Sequence, residues 1–441
     1  MHPVMLVLLA SACSKPPPLI LLISWDTTRA DALGSWGGEG TPNADALANT
    51  GVVFDWALSG SSTTLASHAS VFSGRDSHGT GVVRNGYPVP EGLPLLQERF
   101  VEAGWDSWAV VGSTALEERM GLARGFRTWT DHDLLPYLRQ YEVGADVVNL
   151  RALEQLRNEP TFAFVHYYDA HGPWNSAPPE IRCAWSDCDY TGPVATTDQT
   201  VIWLSDQDNV ATLTDTDREQ ARGLYRAEVA WVDQNMGKLF ESLGRRMDNA
   251  LVVLFADHGE TMDGVPGHGY GHGPDVDLDI IHVPLIIAGT GDFAVPDGIR
   301  VERQVRLMDL GTTVLSASGL GGVLGEGEDL TRLWRGVTPI APPSFAEATK
   351  PIAHESRTAW NNLPFERSVA EGGLLVVKRP LYGDVGLFAL AEGQPFVDDI
   401  EKAKALEAKL KEWDAQAPPH REPNMSAQTE DALRALGYLD D

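Results

Sequence analysis

The sequence predicts an α/β fold, and three observations lead there. The runs Leu19 to Trp25 and Leu251 to Ala256 are almost wholly apolar and lack the alternation of a half-exposed strand, so each reads as a strand buried on both faces. Each run ends abruptly at an acid, Asp26 and Asp257, and in open α/β sheets that carboxyl edge is where ligands bind. The third observation is size: 441 residues, 43% hydrophobic and 22% charged, suffice for one large α/β domain with an appendage or for two to three ordinary domains.

With 34 basic and 62 acidic residues the net charge is −28, which repels nucleic-acid phosphates and anionic lipid at long range. Nucleic acid is therefore excluded as an expected partner. A small anionic substrate is not, because a cation and oriented donors can reverse the potential inside one cleft.

Val4 to Ala12 is too short an apolar run to span a bilayer but suits a signal-peptide core. Small residues before Cys13 resemble a bacterial lipobox, so residues 1–18 are expected to be a leader and tether, with Cys13 the site of a lipid anchor and the mature chain in the periplasm or on the outer surface. No Lys or Arg precedes the run, and Ala10 stands where Leu is usual. Cys183 and Cys188 are close enough for a local disulfide, which an exported compartment permits; two separate thiols are the alternative.

In chain order, Thr41 to Ala48 reads as a turn and helix with Pro42 near its start. Val52 to Phe54 is a short strand candidate. Ser59 to Gly74 runs from a small-residue loop into a helix, and a hydroxyl at that junction lies beside unpaired backbone N–H groups and the positive end of the helix dipole. Ordinary helix capping explains the same Ser/Thr run. Trp105 to Val111 and Thr161 to Tyr168 are strand candidates, the second leading to Asp169 and His171. Cys183 to Asp215 is polar and acidic, like an insertion or lid. Thr216 to Leu243 has helical spacing, with Leu224, Val229, Val232 and Leu239 on one face.

The strand ending at Asp257 continues into His258-Gly259-Glu260 and a Gly/His loop with His268 and His272. A carboxylate beside an imidazole suits a divalent metal such as zinc or manganese; a polar loop capping a strand is the bland alternative. His282 to Ala288 reads as another buried strand, and Val305 to Leu310 as a helix start. The glycines between 319 and 327 mark a loop and a candidate boundary, giving a large domain over 19–325 and a C-terminal one over 326–441. There, Leu374 to Lys378 and Leu387 to Leu390 suggest a small antiparallel sheet, Ile400 to Trp413 an amphipathic helix with a solvated lysine face, and Glu430 to Leu439 a last helix.

Six motifs in collinear order, Asp26-Thr27-Thr28-Arg29-Ala30-Asp31, Thr41-Pro42-Asn43, Thr64 to Ser70, Asp169-Ala170-His171-Gly172-Pro173, Asp257-His258-Gly259-Glu260 and His282-Val283-Pro284-Leu285, resemble the sulfatase family of the alkaline phosphatase superfamily. The resemblance implies a large mixed, mostly parallel sheet between helices, a smaller C-terminal α+β subdomain, and a divalent cation (calcium, zinc or manganese) beside a nucleophile. It implies Asp26, Asp257, His258 and Thr64 as metal ligands, with Thr64 also the nucleophile, and His171 as a contact to the anionic ester. His272 falls near a substrate-binding Lys of many members and is a candidate general acid, with His268 a companion; His68 is a further substrate-binding candidate.

The departures are specific. Formylglycine requires Cys or Ser in a C/S-x-P-S-R context, whereas this register reads Thr64-Leu65-Ala66-Ser67-His68; Thr27 replaces a second acid, and Val111-Gly112-Ser113 stands where a Lys-Trp-His-like element is expected. The set resembles relatives that attack phosphorus with a threonine, including phosphodiesterases and phosphoethanolamine transferases. The expected function is a hydrolase of sulfate or phosphate esters, phosphorus favoured, on a small anionic ester or a sulfated or phosphorylated glycan or lipid. A head-group transferase and a non-catalytic glycan- or protein-binding module are the alternatives.

Overall fold

A computed structural model of the chain describes residues 15–131, 143–262, 269–348, 366–379, 383–391 and 393–417. Cys13 with the leader, His268 and the last expected helix lie outside them. The strands of the larger part are β1 Leu19–Trp25, β2 Gly51–Phe54, β3 Ala57–Leu58, β4 Asp106–Val111, β5 Thr128–Thr130, β6 Thr161–Tyr167, β7 Ala250–Phe255, β8 His282–Val283, β9 Leu285–Gly289, β10 Ile299–Val301 and β11 Val305–Arg306.

Eight of them form one sheet in the order β10-β2-β9-β7-β1-β6-β4-β5. Every neighbouring pair is parallel except those of β9, which runs against β2 and β7. All seven residues of β1 are buried, and alternation divides them between two cores. Ile20 and Leu22 join the layer of helices Thr64–Ser73, Leu96–Glu102 and Leu310–Ala317. Leu19, Leu21 and Ile23 join the layer of helices Pro42–Asn49, Ala145–Glu154 and Asp215–Leu243. Burial on both faces is why these strands read as continuous apolar runs.

The C-terminal sheet is an antiparallel meander of β12 Ser344–Glu347, β13 Arg367–Glu371, β14 Leu374–Arg379 and β15 Asp384–Ala389. Helix Ile400–Asp414 covers one face through Leu406, Leu410 and Trp413. Ala346, Ala370, Leu375 and Val377 of the other face pack on Leu58, Val276, Ile280 and Ile281 of the larger part.

Four details differ from, or sharpen, the sequence expectations. The single strand expected over His282 to Ala288 is divided at Pro284, which has no N–H for a ladder; β8 pairs with β3 while β9 enters the main sheet. Val305 begins a two-residue strand and a 3₁₀ turn before the helix at Leu310. Leu330 and Leu333 pack in the core of the large sheet, beyond the glycine-rich loop. Cys183 and Cys188 are disulfide-bonded, with Cα atoms 5.2 Å apart, inside an insertion folded as helices Pro179–Trp185, Asp198–Leu204 and Gln207–Val210. No helix among the described residues is long and apolar enough to cross a membrane.

Candidate active site

Strand register brings the first site residues together. In the parallel ladders Ser24 of β1 lies opposite His166 of β6 and Phe255 of β7, and Asp26 N–H continues the ladder to Tyr167 O at 2.9 Å. Residues two apart on a strand share a face, so Asp26 and Asp257 emerge at one level, with His166 two residues below them, all on the side that holds Leu22, Phe164 and Phe255. Helix Thr64–Ser73 lies on that same side, and all ten of its residues are buried.

Thr64 opens this helix, with Thr63 as its cap residue. The Leu65 N–H is satisfied by Asn85 Oδ1 at 2.8 Å, which anchors the loop-to-helix junction. Thr64 Oγ1 sits 3.4 Å from Asp26 Oδ2 and 3.5 Å from His258 Nε2. These separations are long for hydrogen bonds and suit groups spaced around a common point.

Asp257 Oδ1 accepts from the backbone N–H of His258 at 2.9 Å and of Thr27 at 3.3 Å. Thr27 reaches it from a left-handed backbone conformation, φ 51°, unusual for a β-branched residue. Tyr225 of the long helix holds this turn, its hydroxyl donating to Thr27 O at 2.9 Å and accepting from Arg29 N–H at 3.0 Å. Asp26 Oδ2 accepts from His166 Nε2 at 3.1 Å. One oxygen of each acid is thus held, while Asp26 Oδ1 and Asp257 Oδ2 are buried with no hydrogen-bond partner. They face His258 Nε2 at 3.9 and 3.5 Å.

Asp26, Asp257 and His258 offer ligand atoms that all lie within 4.8 Å of one another. Burial, aided at Asp257 by the Asp26 charge, pushes both carboxyls up. Burial opposes charge on His258 too, yet the Asp257 and Asp26 carboxylates carry it above an ordinary imidazole. Two unpaired buried carboxylate oxygens are costly unless neutralised, so the residues present fit a divalent cation. His68, His166 and Asp257 also cluster, but His68 Nδ1 donates to Thr64 O at 2.7 Å and its Nε2 accepts from Ser24 Oγ at 2.9 Å, so both ring nitrogens are already engaged.

These bonds correct the reading of His68 as a substrate contact. Its Nε2 faces Ser24 Oγ at 2.9 Å, and the side chain is fully buried. His68 braces the first turn of the helix from behind instead of facing the cleft.

Two further imidazoles approach from the other side. His171 stacks on Tyr168 with ring centres 4.4 Å apart. His272 lies 4.9 Å from the His171 ring and 4.4 Å from that of His258. Burial, with the neighbouring His272, brings His171 down to about 4, so it is neutral near pH 7. The structure therefore gathers Asp26, Thr64, His171, Asp257, His258 and His272, and adds His166 and Glu260, to which the sequence reading gave no role. The signal for His166 is parity, since it follows Phe162 and Phe164 on one face of β6.

The loop carrying His171 rests on buried acids. Asp169 Oδ1 accepts from Ala145 N–H at 3.0 Å, and Glu228 Oε2 from Ala177 N–H at 2.8 Å. Burial pushes Asp169 up to about 7, and burial plus Asp169 pushes Glu228 up to about 9. A folded-state pKa above the unfolded value of 4.5 means that the native state binds the extra proton. Glu228 therefore costs stability as pH rises from about 4.5 to about 9, at a limiting slope of about 1.4 kcal/mol per pH unit. Glu228→Gln is expected to raise the melting temperature at pH 8.5 and to flatten the decline between pH 6 and 9, read by thermal denaturation. An unchanged pH profile would show that Glu228 is ionised in the fold.

A mixed, mostly parallel sheet with a buried hydroxyl at a helix start above an acid and imidazole cradle places the protein in the alkaline phosphatase superfamily. Within it the chain belongs to the sulfatase family, matching the family description "Sulfatase" over residues 18–320. It is 27% identical over 360 residues to an ulvan-active sulfatase of Formosa agariphila, a match covering 74% of this chain and 66% of that relative, so the chain spans about two thirds of its length. Similar folds include BT4656 in complex with its substrate D-glucosamine-2-N,6-O-disulfate, at TM-score 0.72 and 17% identity over 91% of this chain and 98% of the other. Another is the phosphonate monoester hydrolase of Agrobacterium radiobacter, at TM-score 0.69 and 20% identity over 91% and 96%.

Proposed function

We propose that the protein hydrolyses phosphate or sulfate esters, with Thr64 as nucleophile and phosphoester chemistry favoured. The observation that carries this reading is the Thr64 hydroxyl, 3.4 Å from Asp26 and 3.5 Å from His258 at the start of a buried helix. Asp26, Asp257 and His258 would hold a divalent cation, which supplies Lewis acidity and positive charge beside that hydroxyl. Two carboxylates and one imidazole suit zinc or manganese, whereas calcium draws on six to eight oxygens.

The Thr64 hydroxyl passes its proton to Asp26 Oδ2, the oxygen it faces, which returns it when the ester is cleaved; Thr64 Oγ attacks the central atom in line, forming a Thr64 ester as the bond to the leaving oxygen breaks. His171 contacts the anionic oxygens, and the positive end of the Thr64 helix favours the same charge. His272 gives a proton to the leaving alcohol and then accepts one from the water that attacks the ester at phosphorus, freeing Thr64.

Threonine at this position supports phosphorus. A formylglycine hydrate expels sulfate by elimination from its second hydroxyl, but a threonine sulfate has no such exit. Sulfated glycans are the second reading, favoured by the ulvan-active relative. Initial rates on aryl sulfate, phosphate monoester, phosphate diester and phosphonate ester decide between them. The expected result is kcat/KM at least about tenfold higher on a phosphorus ester than on the sulfate, roughly 1.4 kcal/mol of transition-state preference. The opposite order would reverse the assignment, and no turnover on any member of the panel would favour a binding module.

A further inference from the structure

The turn that follows β1 is held from outside itself. Thr27 adopts φ 51°, a left-handed conformation that is costly for a β-branched residue and that glycine takes freely. Its own side chain gives no compensation, because the Thr27 hydroxyl is buried without a hydrogen-bond partner among the described residues. The support comes from Tyr225. One phenolic oxygen donates to Thr27 O at 2.9 Å and accepts from Arg29 N–H at 3.0 Å, so it bridges both ends of the turn. The Tyr225 ring is buried with Leu224 and Val229 of its own helix in the core layer shared with β1, which makes that oxygen a fixed point.

What the strained residue delivers is its amide. Thr27 N–H donates to Asp257 Oδ1 at 3.3 Å, and His258 N–H donates to the same oxygen at 2.9 Å. With both donors on Oδ1, Oδ2 is left buried and unpaired. A carboxylate held in this way presents one chosen oxygen in one orientation, as hydrogen bonds behind a metal ligand commonly ensure. We infer that Tyr225 is a positioning residue for the cation site: by holding Thr27 in its left-handed conformation it keeps the amide on Asp257 Oδ1 and reserves Oδ2 for the ion. The inference rests on the reading of Asp26, Asp257 and His258 as cation ligands, and the Tyr225 hydroxyl bonds to none of the three.

The test is cation affinity, which needs no turnover. The metal-free full chain is titrated with zinc, manganese and calcium in competition with a chelating dye. Tyr225→Phe keeps the ring and removes the bridge. It is expected to raise the dissociation constant of the tightest-binding ion by about 10- to 100-fold, the usual effect of losing a group behind a ligand. Tyr167→Phe is the control, since it removes another buried hydroxyl of the same core layer, the donor to Asn149 Oδ1 at 2.6 Å. Its dissociation constant should stay within about twofold of wild type, while its melting temperature falls as that of Tyr225→Phe does.

Backbone strain makes a more specific demand. Adding Thr27→Gly to Tyr225→Phe should recover about tenfold of the lost affinity, because glycine holds the left-handed conformation without the phenol. A role confined to packing would gain nothing from that second change. Equal dissociation constants for wild type and Tyr225→Phe, an equal loss in Tyr167→Phe, or no recovery with Thr27→Gly overturns the inference. A wild type that binds none of the three ions removes the cation and this role together. The expected losses and recovery in a protein that hydrolyses no ester would leave Tyr225 in place and remove the hydrolase reading alone.

Discussion

Thr64→Ala is expected to lower kcat/KM by at least about 10⁴-fold, a loss on the scale of deleting the nucleophile of a hydrolase that acts through a covalent ester. Thr64 is fully buried, and removing its hydroxyl and methyl groups disturbs little else, because its backbone oxygen still accepts from His68. The melting temperature should therefore stay within a few degrees of wild type. Thr64→Ser, which restores the hydroxyl without the methyl, should recover activity to within about 100-fold, since the oxygen is what attacks. Steady-state kinetics on the best ester, with denaturation of each variant, provide the check. Equal rates for Thr64→Ala and wild type would remove Thr64 from the mechanism.

Chelation is the second large effect. The purified protein should contain close to one divalent ion per chain by elemental analysis, and dialysis against a chelator should cut activity at least about 10³-fold, as expected when charge stabilisation at the reacting centre is withdrawn. Stability should fall as well. An ion at a hundredfold excess over its Kd stabilises the fold by about 2.7 kcal/mol, and without it Asp26 Oδ1 and Asp257 Oδ2 are left buried with no hydrogen-bond partner, near only the His258 imidazole. Adding back zinc, manganese or calcium separately, and following both rate and melting temperature, identifies the ion. Full activity in metal-free protein would remove the cation from the mechanism.

The α/β class was legible because β1, β6 and β7 are covered on both faces and so are apolar through their middles. Asp26 and Asp257 stood out because they terminate those runs. What parity along a single strand does not show is which strands are neighbours. β1 pairs with β6 and β7, which follow it by more than 100 residues, and only that pairing sets His166 against Asp26. His68 was misread for a related reason. Helical spacing puts it one turn from Thr64, but whether the ring faces the cleft or the sheet depends on Ser24, which belongs to another element. Of the C-terminal meander, β14 and β15 were visible in the sequence and β12 and β13 were not, since Ser344–Glu347 and Arg367–Glu371 carry polar and charged residues that local pattern assigns to loops.

The Tyr225 hydroxyl reaches the turn after Asp26 from the far side of the sheet. Through Thr27 it steadies an amide aimed at Asp257, and from the same helix Glu228 holds Ala177 beyond His171. A substitution in that one helix can therefore reset the spacing of the acids and of the facing imidazole together without touching any of them.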